Sequence, residues 1–270
     1  AGGGRGQFAL SNGLLRVGTG GFTTESVEYR LIFAGGTLSA WGDYAVAVTS
    51  EFTGADGAFT IDPAGQTITW QREITGAGGA TLQGSGTLLV NASNLYTGTT
   101  FVNGATLGGT GSVAGLVQVN AGGTVRPGSV AVPGALQVGQ LNAAAGGALS
   151  VLANGTGSVL RVTGTDGFTV PAGSASALVH IANATLPVGT FTVVDYAGTV
   201  QGGTVANLVI GQKPLRSSMN LVDNPGNTSI DLNIVSTGER IRWTGAADAN
   251  WNVNTTTNWI TDATLQTTAY

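Results

Sequence analysis

Residues 84–113, "GSGTLLVNASNLYTGTTFVNGATLGGTGSV", decide how this chain is read. The stretch holds no acid, base, histidine or cysteine. Short runs of Leu, Val, Thr and Phe alternate with Gly, Asn and Ser. That is the pattern of half-buried strands separated by turns, because successive side chains of a strand point to opposite faces. It extends outward in both directions: "LLRV" at Leu14–Val17, "TITW" at Thr67–Trp70, "ALVHI" at Ala177–Ile181 and "SIDLNIV" at 229–235. No window places apolar residues at i, i+3, i+4 and i+7 with capping residues around them, so the chain is expected to be all-β with near-zero helix.

Composition explains why so inert a stretch still folds. Glycine supplies 45 of 270 residues, only 9% of residues are charged, 42% are apolar and the net charge is −4. Disorder requires low hydrophobicity with high net charge, which this chain lacks. Glycine without a strict every-third period excludes a collagen helix and leaves turns as its role. Ten cations, with no basic cluster, do not suit a row of phosphates, so no nucleic-acid partner is expected. Cysteine is absent, which removes disulfides and thiolate chemistry together. No apolar run is long enough to span a membrane as a helix. The first residues already look like the middle of a pattern, so a longer parent chain is expected, with any secretion signal or membrane anchor outside these residues.

Small-residue turns followed by a short apolar run recur: "GTL" from Gly86, "GATL" from Gly104, "GGTV" from Gly122, "GAL" from Gly134 and "GGAL" from Gly146. The first two intervals are equal to each other, and so are the last two, which are shorter by a third. Recurrence at whole or partial steps of one period is the signature of a β-solenoid, whose coils stack so that each turn lies above its neighbour. A β-sandwich also has short strands at regular spacing but needs no repeat. Uncapped solenoid ends expose unpaired N–H and C=O groups, and neither terminus reads as a charged cap. The unit is therefore expected to stack end to end, on further repeats of its own chain or on identical copies.

Residues 74–113, "ITGAGGATLQGSGTLLVNASNLYTGTTFVNGATLGGTGSV", resemble the passenger-associated transport repeat, also called the autotransporter-associated β-strand repeat, of bacterial surface proteins. The motif positions here are Gly84, Gly86, Thr87, Leu88, Asn94, Tyr96, Thr97, Gly98, Thr100, Val102, Gly104 and Leu107. The resemblance implies a right-handed parallel β-helix at the bacterial cell surface or outside the cell, assembled from many such units. It implies scaffold, not one activity, because adhesins, stalks and enzymes share the fold. Residues 1–240 read as the solenoid unit. Residues 241–270 differ in character, with Trp243, Trp251 and Trp259 evenly spaced among Asn, Thr and Asp. They resemble the "W-x-G…W…NW" opening of a following unit.

Chemistry is scarce. His180 is the only histidine and no "GxSxG" nucleophile turn occurs, so no catalytic residue is assigned. The acids are mostly scattered; Glu25 with Glu28, and Asp223 with Asp231, are candidate pairs for chemistry. Asp223, Asn224, Asn227 and Asp231 hold oxygens of the kind calcium takes, yet an Asn-Pro-Gly turn explains them more simply. No metal or cofactor is expected. The leading reading is a non-enzymatic structural and adhesive repeat unit. The alternative is a carbohydrate-binding module using the three tryptophans, with surface glycans as partners. A polysaccharide-degrading β-helix, which needs converging carboxylates, ranks below both.

Overall fold

The computed structural model describes residues 6–24, 29–129, 132–153, 158–182, 187–237, 241–251, 257–261 and 267–268. The chain winds into about seven turns of a parallel β-solenoid. Its one helical element among the described residues is a 3-10 turn, Val205–Asn207. One face carries Gln7–Leu10, Arg30–Phe33, Thr49–Phe52 and Ile74–Thr75. A second begins with Leu14–Val17, Gly36–Ala40, Phe59–Asp62, Ala80–Gln83 and Thr100–Asn103. The third is an eight-stranded sheet from Tyr44–Val46 to Leu208–Ile210. From Ser112–Val119 onward the first two faces merge into longer strands. Ser112 and Val113 pair with Ser93 and Asn94, while Val117 to Val119 pair with Thr100 to Val102.

The "GTL" recurrences are the corner and first strand of the third face. Thr67, Thr87, Thr106 and Thr124 pair coil upon coil on the outer surface, where β-branched side chains pack well on a pleated sheet. One residue on, Ile68, Leu88, Leu107, Val125, Leu149 and Val179 form an inward column, each 4% exposed or less. Burial of each such side chain contributes about 1.5–3 kcal/mol. The corner residue passes its carbonyl upward: Thr106 N–H donates to Gly86 O, Thr124 to Ala105 O and Ala148 to Gly123 O. Gly86 sits at φ +97°, and a Cβ there would lie 2.4 Å from Gln66 O, so neither conformation nor space admits a side chain.

Gly134 does not belong to this series. It precedes Ala135–Ala143, which pairs with Ser112–Val119 on the merged face. The two shorter intervals therefore join different corners, and a full coil at this point runs from Val125 to its partner Leu149. Coil length varies along the stack: the step from Tyr44 to its partner Ile68 equals that from Val125 to Leu149, that from Leu107 to Val125 is shorter, and that from Val179 to Ile210 is much longer.

Asn94 secures the corner of the motif coil. Its side chain is fully buried and acts as an extra peptide group: Oδ1 accepts from Ile74 N–H at 3.0 Å, and Nδ2 donates to Ala92 O at 3.0 Å and Ser112 O at 2.9 Å. Three successive coils are joined through one amide. Two residues on, the Tyr96 hydroxyl bonds Thr100 Oγ1 at 2.6 Å, and burial pushes its pKa up to about 12. The Tyr96 ring meets Phe52 at 5.0 Å, within an aromatic cluster of Phe33, Phe52, Phe59 and Trp70 that fills the N-terminal half of the core. Gly98 fits because a Cβ would lie 2.3 Å from the backbone of Gly78 in the coil below.

"SIDLNIV" is not a further parallel rung. Ser229–Ser236 runs antiparallel to Gly189–Ala197 and to Ser218–Asn224, forming a hairpin laid over the last long strand. Ile230, Leu232 and Ile234 seal the core beneath it at 1% exposure or less. The expectation that the C-terminal edge is uncapped is thus corrected on this face: the cap is apolar and hydrogen-bonded, not charged. Its sequence signal is the turn Asn224-Pro225-Gly226-Asn227 between two alternating runs, with Asn227 N–H bonded to Asn224 O at 3.0 Å.

Replacing Asn94 with Ala leaves Ile74 N–H without its partner and takes one donor from each of Ser112 O and Ala92 O, the latter keeping Ser112 N–H, and is expected to lower stability by about 3 kcal/mol. Asn91→Ala, which removes a single exposed bond from Thr110 N–H, is expected to cost about 1 kcal/mol or less. Urea unfolding of the two variants checks the contrast, and equal midpoints would refute this role for Asn94.

Candidate functional site

The three tryptophans come together in a separate antiparallel sheet. Trp243, in Ile241–Trp243, pairs with Trp259, in Trp259–Thr261. The connecting loop returns Trp251 beside both, its ring 5.7 Å from Trp243 at 32° and 4.7 Å from Trp259 at 77°. Trp259 is buried, whereas Trp251 is 70% exposed. Trp243 Nε1 is enclosed and, among the described residues, has no hydrogen-bond partner.

Asn258, absent from the sequence-predicted set, is the residue that builds this site. Fully buried, it accepts at Oδ1 from the N–H groups of Ala247 (2.7 Å) and Asp248 (3.1 Å). Its Nδ2 donates to Asp248 Oδ1 at 2.6 Å and to Asn250 O at 3.2 Å. Its carbonyl accepts from Thr244 N–H and Oγ1 at 2.7 and 2.8 Å. Gly245 lets the loop cross the indole of Trp243: its φ is +63°, and a Cβ would approach the ring to 2.7 Å. The "W-x-G" and "NW" elements of the motif therefore have a mechanical meaning, in which Asn258 pins the loop that carries Trp251. The signal was available in the polar residue directly preceding a buried tryptophan.

The repeat-motif residues lie elsewhere, within the solenoid wall. Leu88, Val102 and Leu107 point into the core, Asn94, Tyr96 and Thr100 are buried at the corner, and Gly84, Gly86 and Gly104 take positive φ at turns. None of them lines a surface shared with the tryptophans.

His180 faces outward between buried Val179 and Ile181. Its Nδ1 accepts from Gln212 N–H at 2.8 Å, and partial burial holds its pKa below the ordinary value. That bond places the proton of the neutral ring on Nε2. A serine-activating base needs the opposite tautomer, with Nδ1–H held by an acid.

The described acids are engaged in turns. Asp43 accepts from Thr67 N–H at 2.7 Å and Asp62 from Ala64 N–H at 2.9 Å. Asp166 accepts from Thr199 N–H and Oγ1, both at 2.8 Å, which holds its carboxyl below the usual range. Asp223 and Asp231 do not share a cage. Asp231 is paired across the hairpin with Val222, so adjacent Asp223 points to the other face. Asp231 accepts from Thr192, Ser229 and Asn224, and Asp223 from Tyr196. Among the described residues no group of three histidine or acidic side chains gathers that suits a metal. Glu25 and Glu28 lie outside the described residues.

No family model matches the chain. The chain is similar to the adhesin BmaC autotransporter of Brucella suis biovar 1 (strain 1330), with 31% identity over 238 residues. The match takes in 81% of this chain but 6% of that protein's length.

Asp248 gives the loop a pH dependence. Hydrogen bonds from Asn250 N–H and Asn258 Nδ2 hold its pKa below the ordinary value, so the stabilisation is complete above the unfolded-state pKa of about 3.9 and is lost as pH falls through the lower, folded value. Below about pH 3.9 the exciton signal of the stacked indoles in circular dichroism is expected to fade. Asp248→Asn, which keeps the acceptor oxygen, is expected to remove that loop's pH dependence. An identical acid transition in the variant would refute the assignment.

Proposed function

We propose, on the premise that this chain is an autotransporter passenger-like β-solenoid, that it is a non-enzymatic structural and adhesive segment of a bacterial cell-surface or extracellular protein. The observation that carries the proposal is the adhesin similarity spread over 81% of a chain whose repeats build a stacked, core-filled solenoid. Polar side chains are engaged in corners and ladders, which suits a spacer that holds a binding surface away from the cell. The protein would reach its membrane only through segments outside these residues.

End-to-end stacking fits the N-terminal end. Gln7–Leu10 and Leu14–Val17 are edge strands among the described residues, each paired on one side only. Phe8, Leu14 and Tyr29 are 42%, 58% and 44% exposed there, and Phe8, Phe22, Tyr29, Leu31 and Val48 line a hollow of about 630 Å³. An apolar edge of this kind favours addition of another strand. The occupant we assign is a further coil of the same kind, supplied by the parent chain or by a second copy.

A second reading rests on Trp251, whose exposed ring beside Trp243 offers an apolar face to a sugar. In that case Trp251→Ala abolishes glycan retention and leaves the fold intact.

Two measurements test the main reading. Cells of a non-adherent bacterium displaying this chain are expected to bind matrix-coated surfaces several-fold better than cells displaying an unrelated spacer; no gain would sink the adhesive role. Sedimentation of the isolated chain is expected to show concentration-dependent association that Phe8→Lys with Leu14→Lys removes. A monomer at every concentration would count against stacking through this edge.

A further inference from the structure

The outer surface of the third sheet carries a hollow of about 640 Å³ that neither the adhesin similarity nor the tryptophans account for. Its floor is a row of side chains from successive coils. Arg126 pairs with Gly108 below; Val125 beside it pairs with Leu149, which puts Ser150 above Arg126, and Ser150 pairs with His180. Gly108 contributes no side chain, and Leu89 Cδ2 of the preceding coil covers that flank. Gln212 and Lys213 close the other end, and Thr124 completes the rim.

Two cations line this hollow, and among the described residues neither has a carboxylate partner. The half-buried Arg126 donates from Nε to Ser150 Oγ at 3.4 Å, and among the described residues no carboxylate reaches ion-pair distance of it. Lys213 Nζ donates to the carbonyl of Ser217 at 2.6 Å. Described Arg–acid pairs, Arg30 with Glu51 and Arg161 with Asp195, lie elsewhere. A partly desolvated guanidinium is costly unless paired, and its fork of donors matches a planar or tetrahedral oxyanion. Burial already disfavours the charged form of Arg126, which an anion would restore. The remaining groups are neutral and suit hydroxyls: Ser150, Thr124, Gln212 and the Nε2–H of His180, fixed as donor by the bond at Nδ1.

We propose that this hollow binds an acidic polysaccharide, Arg126 taking the carboxylate or sulfate of one unit and Lys213, at the far end of the row, that of a following unit, while Ser150, His180 and Gln212 bond hydroxyls between them. The row runs along the stacking direction at strand spacing, so Arg126 and His180 stand about 10 Å apart, two coils, in a line that an extended polymer can follow. The apolar lining residues, Ile181, Ala182 and Pro214, neighbour His180 and Lys213 at one end, so the row itself offers polar side chains alone, which suits a sugar polymer better than a peptide. The site is independent of the tryptophan cluster and of end-to-end stacking.

The whole chain, immobilised at physiological ionic strength, is to be challenged with polygalacturonate, dextran sulfate, neutral dextran and polyglutamate. Binding of one or both acidic polysaccharides, with none of neutral dextran, is expected. Preference between the two assigns the anion as carboxylate or sulfate. Arg126→Gln with Lys213→Gln is expected to weaken that binding at least tenfold with an unchanged circular dichroism spectrum and melting temperature, whereas Arg16→Gln with Arg72→Gln, equal in charge but remote, leaves it within twofold. The single variant Lys213→Gln, at an exposed position, reports the same loss in part should the double variant melt early. Equal weakening by both pairs, binding unchanged by the first, no binding of either acidic polysaccharide, or equally tight binding of polyglutamate overturns the proposal. Retained adhesion of displaying cells alongside any of these results would leave the adhesive function standing without this site.

Discussion

Each coil must meet the backbone of the next at strand spacing, and this one requirement governs the rest of the structure. Hydrogen bonds between parallel coils fix register, and register fixes which side chains stack. Inward columns such as Ile68-Leu88-Leu107-Val125 and the outward threonine ladder are two expressions of it. Corners are where the requirement is hardest to meet, because the chain turns while its neighbours stay within contact. Glycine solves the steric half, as at Gly86 and Gly98, where the backbone of the adjacent coil occupies the space of a Cβ. Asn94 solves the hydrogen-bonding half, supplying an amide where the first face has shrunk to the short strand Ile74–Thr75.

The low charge of the chain follows from the same cause. Stacked coils set like positions above one another, and a repeated charge would repel itself along the whole length. Four of the acids, Asp43, Asp62, Asp166 and Asp248, accept from backbone N–H groups at turns. They act as turn clamps. A composition that first looks chemically poor is a chain whose polar groups are already engaged in holding its own corners.

What could be read from sequence was whatever repeats or alternates locally. Period-two alternation marked the strands, and the recurring "GTL" marked one corner of the third face, because local spacing and coil spacing coincide there. Gly134 misled, since a small residue before an apolar run marks any corner and does not say which. The terminal hairpin was hidden for a related reason: Ser229–Ser236 alternates as a rung does, and only its partner decides that it runs antiparallel. The tryptophans were visible as a spaced motif, but their support by Asn258 depends on a loop that closes back onto Asp248. Least legible was the row Arg126, Ser150 and His180, whose members belong to successive coils of unequal length and meet only through register.

Coils of unequal length give the molecule an uneven tolerance for change. Corners such as Gly86 and Gly98, and farther along Gly139, Gly147 and Gly203, are filled to the backbone of a neighbour, so a residue inserted there would throw later pairings onto the wrong face. Past Val125, where partners stand farther apart along the chain, the added length lies between strands and leaves register untouched. Added length is therefore admissible between strands and barred from the filled corners in either half of the stack. Where the chain can grow is set corner by corner, by whether a neighbouring backbone already occupies the space.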